Sequence, residues 1–426
     1  MQKKVLTALK ADYKQRADEA LAAGDNIQAA VLYTRAGESG RAKRAFDFSA
    51  RLVADDFTSV AVLADGTLQI QQNDENYQEK TLKNFSSISS FSSYDLDVVG
   101  IDRNGVISGD MYRAETMKAF QSWKDVVQFD TSDYYQGKNV ALLKNGTVKV
   151  YDFATDEFVP VNWKNIVEIG RYVDDAWGLD SDGTIHYLHL EESEDANKFD
   201  LQNFTSIEKF KIYDGYALGL KDTNELVYVK NQTTNYGTVH PFPLTRMNDV
   251  TDFTTAYGWL ITVHEDGTVS GKNTDALDPD PWYDYHTYYS AVEAELSKWR
   301  GIVSVLDCYF GVVGITYDGS IVYQSLSSNS GETRADETIE LIDHPNLKAQ
   351  LETWEDIVYL DSDDYHPTDS AEGYYYHVLG LHSDGAVCSL GTGKYTYSKK
   401  NAYGNYDTFT RGGGTYDDVS TWKLWE

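Results

Sequence analysis

The chain is 426 residues long and has only two cysteines, Cys308 and Cys388. A disulfide framework is excluded at that density. Both are expected to be buried free thiols that pack as small apolar residues. No run approaches the roughly 18 apolar residues of a membrane-crossing helix. The opening stretch, Met1-Gln2-Lys3-Lys4-Val5-Leu6-Thr7-Ala8-Leu9-Lys10, is charged too early for the apolar core of an export signal. A cytoplasmic protein is the simplest expectation. Positive charge is scarce as well, with 37 Lys and Arg against 67 Asp and Glu, a net of −30. Residues 1–52 hold ten Lys or Arg and six Asp or Glu, so they carry +4 and the remainder carries −34. Such a field repels nucleic acid and anionic membrane, and it favours a partner with a basic surface or serves solubility. There is no Gly-rich phosphate loop and no nucleophile elbow.

What the chain does have is repetition. A bulky residue followed three positions later by Ile or Val begins at Phe85, Trp123, Trp163, Phe204, Met247, Trp299, Trp354 and Tyr416. A second pattern, an apolar run, a turn and an alternating run, is centred on Gly66, Gly105, Gly146, Gly183, Asn224, Gly267, Gly319 and Gly385. The turn position wants positive φ, which Gly allows freely and Asn tolerates. Each unit therefore reads as a β-hairpin. Five residues before each turn stands a small residue, Ala61, Gly100, Ala141, Gly178, Gly219, Thr262, Gly314 or Gly380, as expected where strands crowd toward a common axis. Repeats of this length bury their apolar faces only against one another.

The ends of the pattern are complementary. The first hairpin, Ser59 to Ile70, has no preceding bulky signature, and the last signature, Tyr416 to Trp422, has no following hairpin. A C-terminal strand paired into the first unit would remove both exposed edges. The expected fold is an all-β propeller over residues 53–426, eight-bladed by repeat count with seven possible, closed by that strand. The run Trp163-Lys164-Asn165-Ile166-Val167-Glu168-Ile169, then Gly178-Leu179-Asp180-Ser181-Asp182-Gly183-Thr184-Ile185, resembles the repeat of the regulator-of-chromosome-condensation propeller superfamily, most like its compact bacterial members. That resemblance implies a fold, and the family's nucleotide-exchange and inhibitor activities have no local motif here to carry them. Residues 1–52 differ, and read as two or three helices. Ala20-Leu21-Ala22-Ala23-Gly24-Asp25-Asn26-Ile27-Gln28-Ala29-Ala30 with Tyr33 and Ala36-Gly37 resembles a tetratricopeptide helical hairpin. Its positive charge suits packing on the rim of the acidic propeller, with docking of a second partner as the alternative.

Irregularities point to function. The gaps from turn to next signature are 17 to 23 residues for units one to five, then 32, 35 and 31 for units six, seven and eight. Unit eight also gains 11 residues before its hairpin. Connections alternate between faces in antiparallel blades, so these insertions are expected on the face away from the Gly turns. They hold Trp282, Tyr283, Asp284, Tyr285, His286, Tyr288 and Tyr289, then Asp363, Asp364, Tyr365, His366, Tyr374, Tyr375 and Tyr376, then Tyr395 and Tyr397. Tyr and Trp give large contact area at low entropy cost, which suits a binding surface on loops of a rigid scaffold. The alternative is that these aromatics fold back as small cores of their own. The histidines and aspartates lack metal-ligand spacing, and acidic turns such as Asp180-Ser181-Asp182-Gly183 read as turn formers rather than calcium loops. No catalytic residue, metal or cofactor is expected. The favoured reading is a monomeric, non-enzymatic scaffold that binds a protein partner. Its rival is a carbohydrate or small-ligand binder, with Trp282, Tyr283, Tyr285 and Tyr374 to Tyr376 stacking on sugar rings.

Overall fold

The computed structural model describes residues 2–55, 58–72, 78–92, 97–110, 120, 122–131, 138–152, 155, 157–172, 175–188, 199–213, 215–230, 234–235, 238–239, 245–273, 286–308, 311–326, 347–362, 376–392, 394–400, 406–412 and 419–426. The protein is mostly β. Eight successive antiparallel sheets of three or four strands follow a short helical segment, with two further two-stranded ribbons. Their first strands are Leu52–Asp55, Phe85–Ser92, Val126–Asp130, Ile166–Tyr172, Ile207–Tyr213, Val250–Ala256, Ile302–Cys308 and Ile357–Ser362.

The hairpin turns are as the sequence requires. All eight turn residues have positive φ, from 62° at Asn224 to 86° at Gly385. The acidic residues before them act locally. Asp180 Oδ1 accepts from the Asp182 and Thr184 N–H groups at 3.0 and 2.9 Å. Asp65, Asp266, Asp318 and Asp384 each accept from the N–H two residues on. These are turn formers. The small position that recurs in each repeat has a different cause from the expected crowding at an axis. A Cβ at Gly219, Gly314 or Gly380 would stand 2.8, 2.7 or 2.6 Å from the ring of Phe204, Trp299 or Trp354. In these units the ring that opens the unit packs against its own second strand and takes the space.

Hydrogen bonds between neighbouring units set the true register of the signatures. The N–H groups of Val126, Ile166, Ile207, Val250, Ile302 and Ile357 donate to the carbonyls of Gly105, Gly146, Gly183, Asn224, Gly267 and Gly319, the turn residues one unit back. Six signatures are therefore in register. The other two are not. It is Phe85 that donates to Gly66 O, so Phe85 holds the position of Ile166, and Leu82 that of Trp163. At the C-terminus the donor to Gly385 O is Leu424, and Val419–Thr421 is a 3-10 turn. The expected C-terminal strand from Tyr416 is corrected accordingly: Tyr416 lies outside the described residues, Trp422 is the anchor, and the first strand of sheet one is Leu52–Asp55, paired with Thr58–Val62. Leu52 and Ala54 are buried and alternate with half-buried neighbours, so this local segment satisfies the pattern before a distant one can. The C-terminus adds the entry to that strand, since Ala64 N–H donates to Lys423 O at 2.9 Å.

Apolar cores lie between successive sheets. Phe85 and Ile88 of sheet two pack with Val60 and Ile70 of sheet one, and the same pairing runs on to sheets seven and eight, where Val313 and Tyr323 meet Ile357 and Val378. A further core joins Leu52, Ala54 and Ala61 of sheet one to Val358, Leu379 and Leu381 of sheet eight, with Trp422, Leu424 and Trp425 among them.

The first residues form α1 (Gln2–Ala22), α2 (Asn26–Ala36) and α3 (Ser39–Ala45). Gly24 at φ 82° ends α1. The Asp25 side chain caps α2 by accepting from Gln28 N–H at 3.1 Å, and Gly37 closes it in the left-handed conformation. Ala17, Ala29, Leu32 and Tyr33 make the hairpin core. The segment thus has three helices, and α3 is followed by a 3-10 turn at Phe48–Ala50.

Candidate functional site

Most of the residues singled out in the insertions, Trp282, Tyr283, Asp284, Tyr285, Asp363, Asp364, Tyr365, His366, Tyr374 and Tyr375, lie outside the described residues. The others are on regular elements and not in loops. His286, Tyr288 and Tyr289 open α4 (His286–Leu296). Its helical spacing is carried by Val292 and Leu296, both fully buried in the core between sheets six and seven. A Cβ on Gly271 would stand 2.5 Å from Leu296, so the glycine makes room for this helix. The next insertion ends in α5 (Leu347–Leu351), again with both leucines buried. Tyr376 starts the strand Tyr376–His382. Tyr395 and Tyr397 sit in the ribbon strand Lys394–Lys400, opposite Arg411 and Phe409.

A second constellation escaped the sequence reading. Each first strand of sheets two to eight shifts register by one residue near its start. In sheets three to eight the residue just past this bulge is Gln128, Glu168, Lys209, Asp252, Ser304 or Tyr359, each with a polar group. Three of these side chains, Gln128, Lys209 and Asp252, reach to the next first strand. Gln128 accepts from Ile169 N–H at 2.9 Å and donates to Ile169 O at 3.0 Å. Lys209 Nζ donates to Asp252 at 2.6 Å and to Phe253 O at 2.7 Å. Asp252, with no exposed surface, accepts from Ser304 Oγ at 2.8 Å and Val305 N–H at 3.0 Å. The signal was present: a polar residue two places beyond the signature Ile or Val, inside otherwise apolar strands.

The helical segment plugs onto this row. Ser39 Oγ donates to Asp252 at 2.6 Å, Lys43 Nζ to Glu168 at 2.7 Å, and Arg44 to Glu208 O. Arg35, 5% exposed, donates to Ile357 O at 2.9 Å and Asp356 at 2.8 Å. Burial pulls the Lys43 ammonium down, but Glu168, Asp47 and Asp130 outweigh it and hold it above the ordinary lysine value. The helices thus lie over the starts of the first strands, and not on outer strands at a rim, because their cations find carboxylates and carbonyls there. Leu6 and Arg35 also lie against the turns at Gly267 and Gly319. That puts the helices on the Gly-turn side. Third strands run away from those turns, so Val269–Asn273, Ile321–Ser325 and Val387–Thr392 end on the opposite side.

Where sheets eight and one meet, two buried groups are strongly perturbed. Asp361 Oδ2 accepts from Ala54 N–H at 2.8 Å. Burial, helped by Asp307 and resisted by the Ala54 hydrogen bond, raises its carboxyl to about 7. His377 Nε2 meets Ser59 Oγ at 3.0 Å, and burial lowers it to about 4. Both thiols are raised by burial, Cys388 to about 12, and both are free. They are unreactive in that state. Among the described residues no group of three or more His, Cys, Asp or Glu side chains could hold a metal ion, and no helix is long and apolar enough to cross a membrane. The charged row holds strands together, and Asp252 at its centre accepts from four protein donors.

No family model and no curated protein matches the sequence. Among solved structures, the chain resembles Sqt1 of Saccharomyces cerevisiae at 10% identity, covering 79% of this chain and 92% of that one, with a TM-score of 0.44. BamB of Moraxella catarrhalis matches at 11% identity over 82% and 97%, TM-score 0.43. The WD40 β-propeller domain of Doa1 matches at 15% over 65% and 89%, TM-score 0.33. At these scores the likenesses add nothing to the description of the sheets and their joins.

Proposed function

We propose that the chain is a closed eight-bladed propeller acting as a non-enzymatic scaffold, which binds a protein partner with a basic surface through the elaborated segments of units six, seven and eight. The observation that carries this reading is the placement of the helical segment. It occupies the Gly-turn side, with Arg35, Ser39, Lys43 and Arg44 satisfied by first-strand groups, while the outgoing strands that precede the insertions end on the other side. This supports a binding face opposite the helices, and a net charge of −34 outside residues 1–52 favours a cationic partner. Closure is supported by the core that sheets one and eight share and by the bonds from Leu424 to Gly385 and from Ala64 to Lys423.

The test is Tyr283→Ala with Tyr285→Ala. Binding to a partner recovered from native lysate should weaken by about 2 kcal/mol or more, the scale of aromatic hot spots, with the melting temperature unchanged. A double variant that unfolds would place these rings in a core, and one that binds as tightly as the parent would move the interface elsewhere.

A further inference from the structure

We propose that the seam between α1, the α2–α3 link and sheets five and six is a binding pocket for a small molecule bearing a single carboxylate group. A cavity of about 240 Å³ lies there, lined by Lys10 and Lys14 of α1, Ser39, Glu208, Thr251 and Glu265 among others. Two of its lining atoms, Lys10 Nζ and Thr251 Oγ1, are buried and have no hydrogen-bond partner among the described residues. A buried ammonium left so is costly, and a buried hydroxyl less so.

Charge selects the ligand. The other lysines on the walls are matched by protein carboxylates: Lys14 with Glu38 at 2.6 Å, Lys209 with Asp252 at 2.6 Å, and Lys221 with Glu225 at 2.8 Å. Lys10 has no such contact, so one negative charge completes the site. More than one would be repelled, because Glu208 and Glu265 also face the cavity. Burial and the nearby Glu38 already raise the Glu208 carboxyl above its ordinary value, a sign that further negative charge is unwelcome. The Lys10 ammonium is pulled down by burial, against Asp252, Glu265, Glu38 and Asp266. A carboxylate in direct contact would offset that, with the Thr251 hydroxyl as its second donor. The volume corresponds to roughly eight water molecules, which admits a molecule of amino-acid size and excludes a polymer.

Calorimetric titration of the full chain with acetate, glycine and inorganic phosphate tests this. Acetate or glycine should bind saturably at one site, and phosphate at least about tenfold more weakly, as repulsion by two carboxylates implies. Glycine binding tighter than acetate would assign Glu208 or Glu265 to the ammonium of a zwitterion; acetate binding equally well would assign the carboxylate alone. Lys10→Met should abolish binding at an unchanged melting temperature, and Thr251→Val should weaken it about fivefold. Absence of saturable binding by every probe, phosphate binding tighter than acetate, or Lys10→Met binding like the parent would each overturn the assignment. Because the pocket is on the helical side, binding of a protein partner by the opposite face should be unaffected in Lys10→Met.

Discussion

Removing residues 422–426 should severely destabilise the chain. Trp422, Leu424 and Trp425 are 5, 2 and 8% exposed and sit in the core shared by sheets one and eight. Trp425 also meets Phe46 and Phe48 with ring centroids at 6.0 and 5.7 Å, so the tail ties down the exit of the helical segment too. Truncating a buried Trp costs about 3–5 kcal/mol and a buried Leu about 2–5 kcal/mol. The two backbone hydrogen bonds made by Leu424 and Lys423 add about 1 kcal/mol each. The simple total exceeds about 10 kcal/mol, and groups that share one core lose less together than apart. Even half of it, about 5 kcal/mol, matches the lower end of the stability of a whole native protein, roughly 5–15 kcal/mol. The truncated chain should therefore show a large fall in its urea midpoint, read by tryptophan fluorescence, and should lose the join between sheets one and eight first. Deletion of the exposed Glu426 alone should be silent. A chain lacking 422–426 that unfolds at the parent midpoint would refute the reasoning, because the remaining contacts between the two sheets would then hold them without the buried Trp422, Leu424 and Trp425.

Gly314→Val should destabilise by about 1–3 kcal/mol or more, since the new Cβ would stand 2.7 Å from the Trp299 ring; an unchanged melting temperature would show that the ring can move. Arg35→Met should cost about 1–2 kcal/mol, chiefly by leaving the buried Ile357 carbonyl without its Arg35 donor, since Asp356 is half exposed and also accepts from Ser383, measured by chemical denaturation. Asp361 is raised from 3.8 to about 7, so the native chain holds this proton more tightly than the unfolded one. Its contribution to stability is full below about pH 4 and is lost as pH rises through 7; Asp361→Asn should flatten that decline, by at most about 4 kcal/mol. His377 acts in the opposite sense. Lowered from 6.5 to about 4, it contributes above pH 6.5 and ceases to as pH falls toward 4, and His377→Gln should flatten the acid side of a melting-temperature profile.

The hairpins were legible because a turn needing positive φ admits few residues, and Gly or Asn occupies all eight. The inner signatures were legible for the same kind of reason, most clearly where one ring must cover one glycine, as at Gly178, Gly219, Gly314 and Gly380. The end units were misread where that coupling fails. In sheet two Phe85 takes the place of a branched aliphatic residue, so the 20-residue spacing to Gly105 matched by coincidence, and the left-handed residue that marks the register is Asn84, φ 71°. At the C-terminus Trp422 is followed after one residue, not two, by the donor Leu424. The helix α4 was hidden by the tyrosines and prolines ahead of it, although Val292 and Leu296 carry helical spacing. The charged row across the first strands was missed because its members differ in type from unit to unit and become partners only when strands of different units are side by side, as Lys209 and Asp252 are.

The join between sheets eight and one draws on three separate parts of the chain, and this division has a consequence for where variation can accumulate. Arg51 to Asp55 supply the body of the strand, Lys423 and Leu424 its entry, and Ala30, Val31 and Phe48 of the helical segment cover it from the Gly-turn side. All three are engaged on that side or within the core. The outgoing strands of units six, seven and eight end away from it, so residues inserted after Asn273, Ser325 or Thr392 need not disturb any of these contacts. A surface that must change to fit a partner is best placed where it is uncoupled from the contacts that keep the fold intact. The insertions of units six and seven return through α4 and α5, whose buried Val292, Leu296, Leu347 and Leu351 fasten each to its own pair of sheets before the next unit begins.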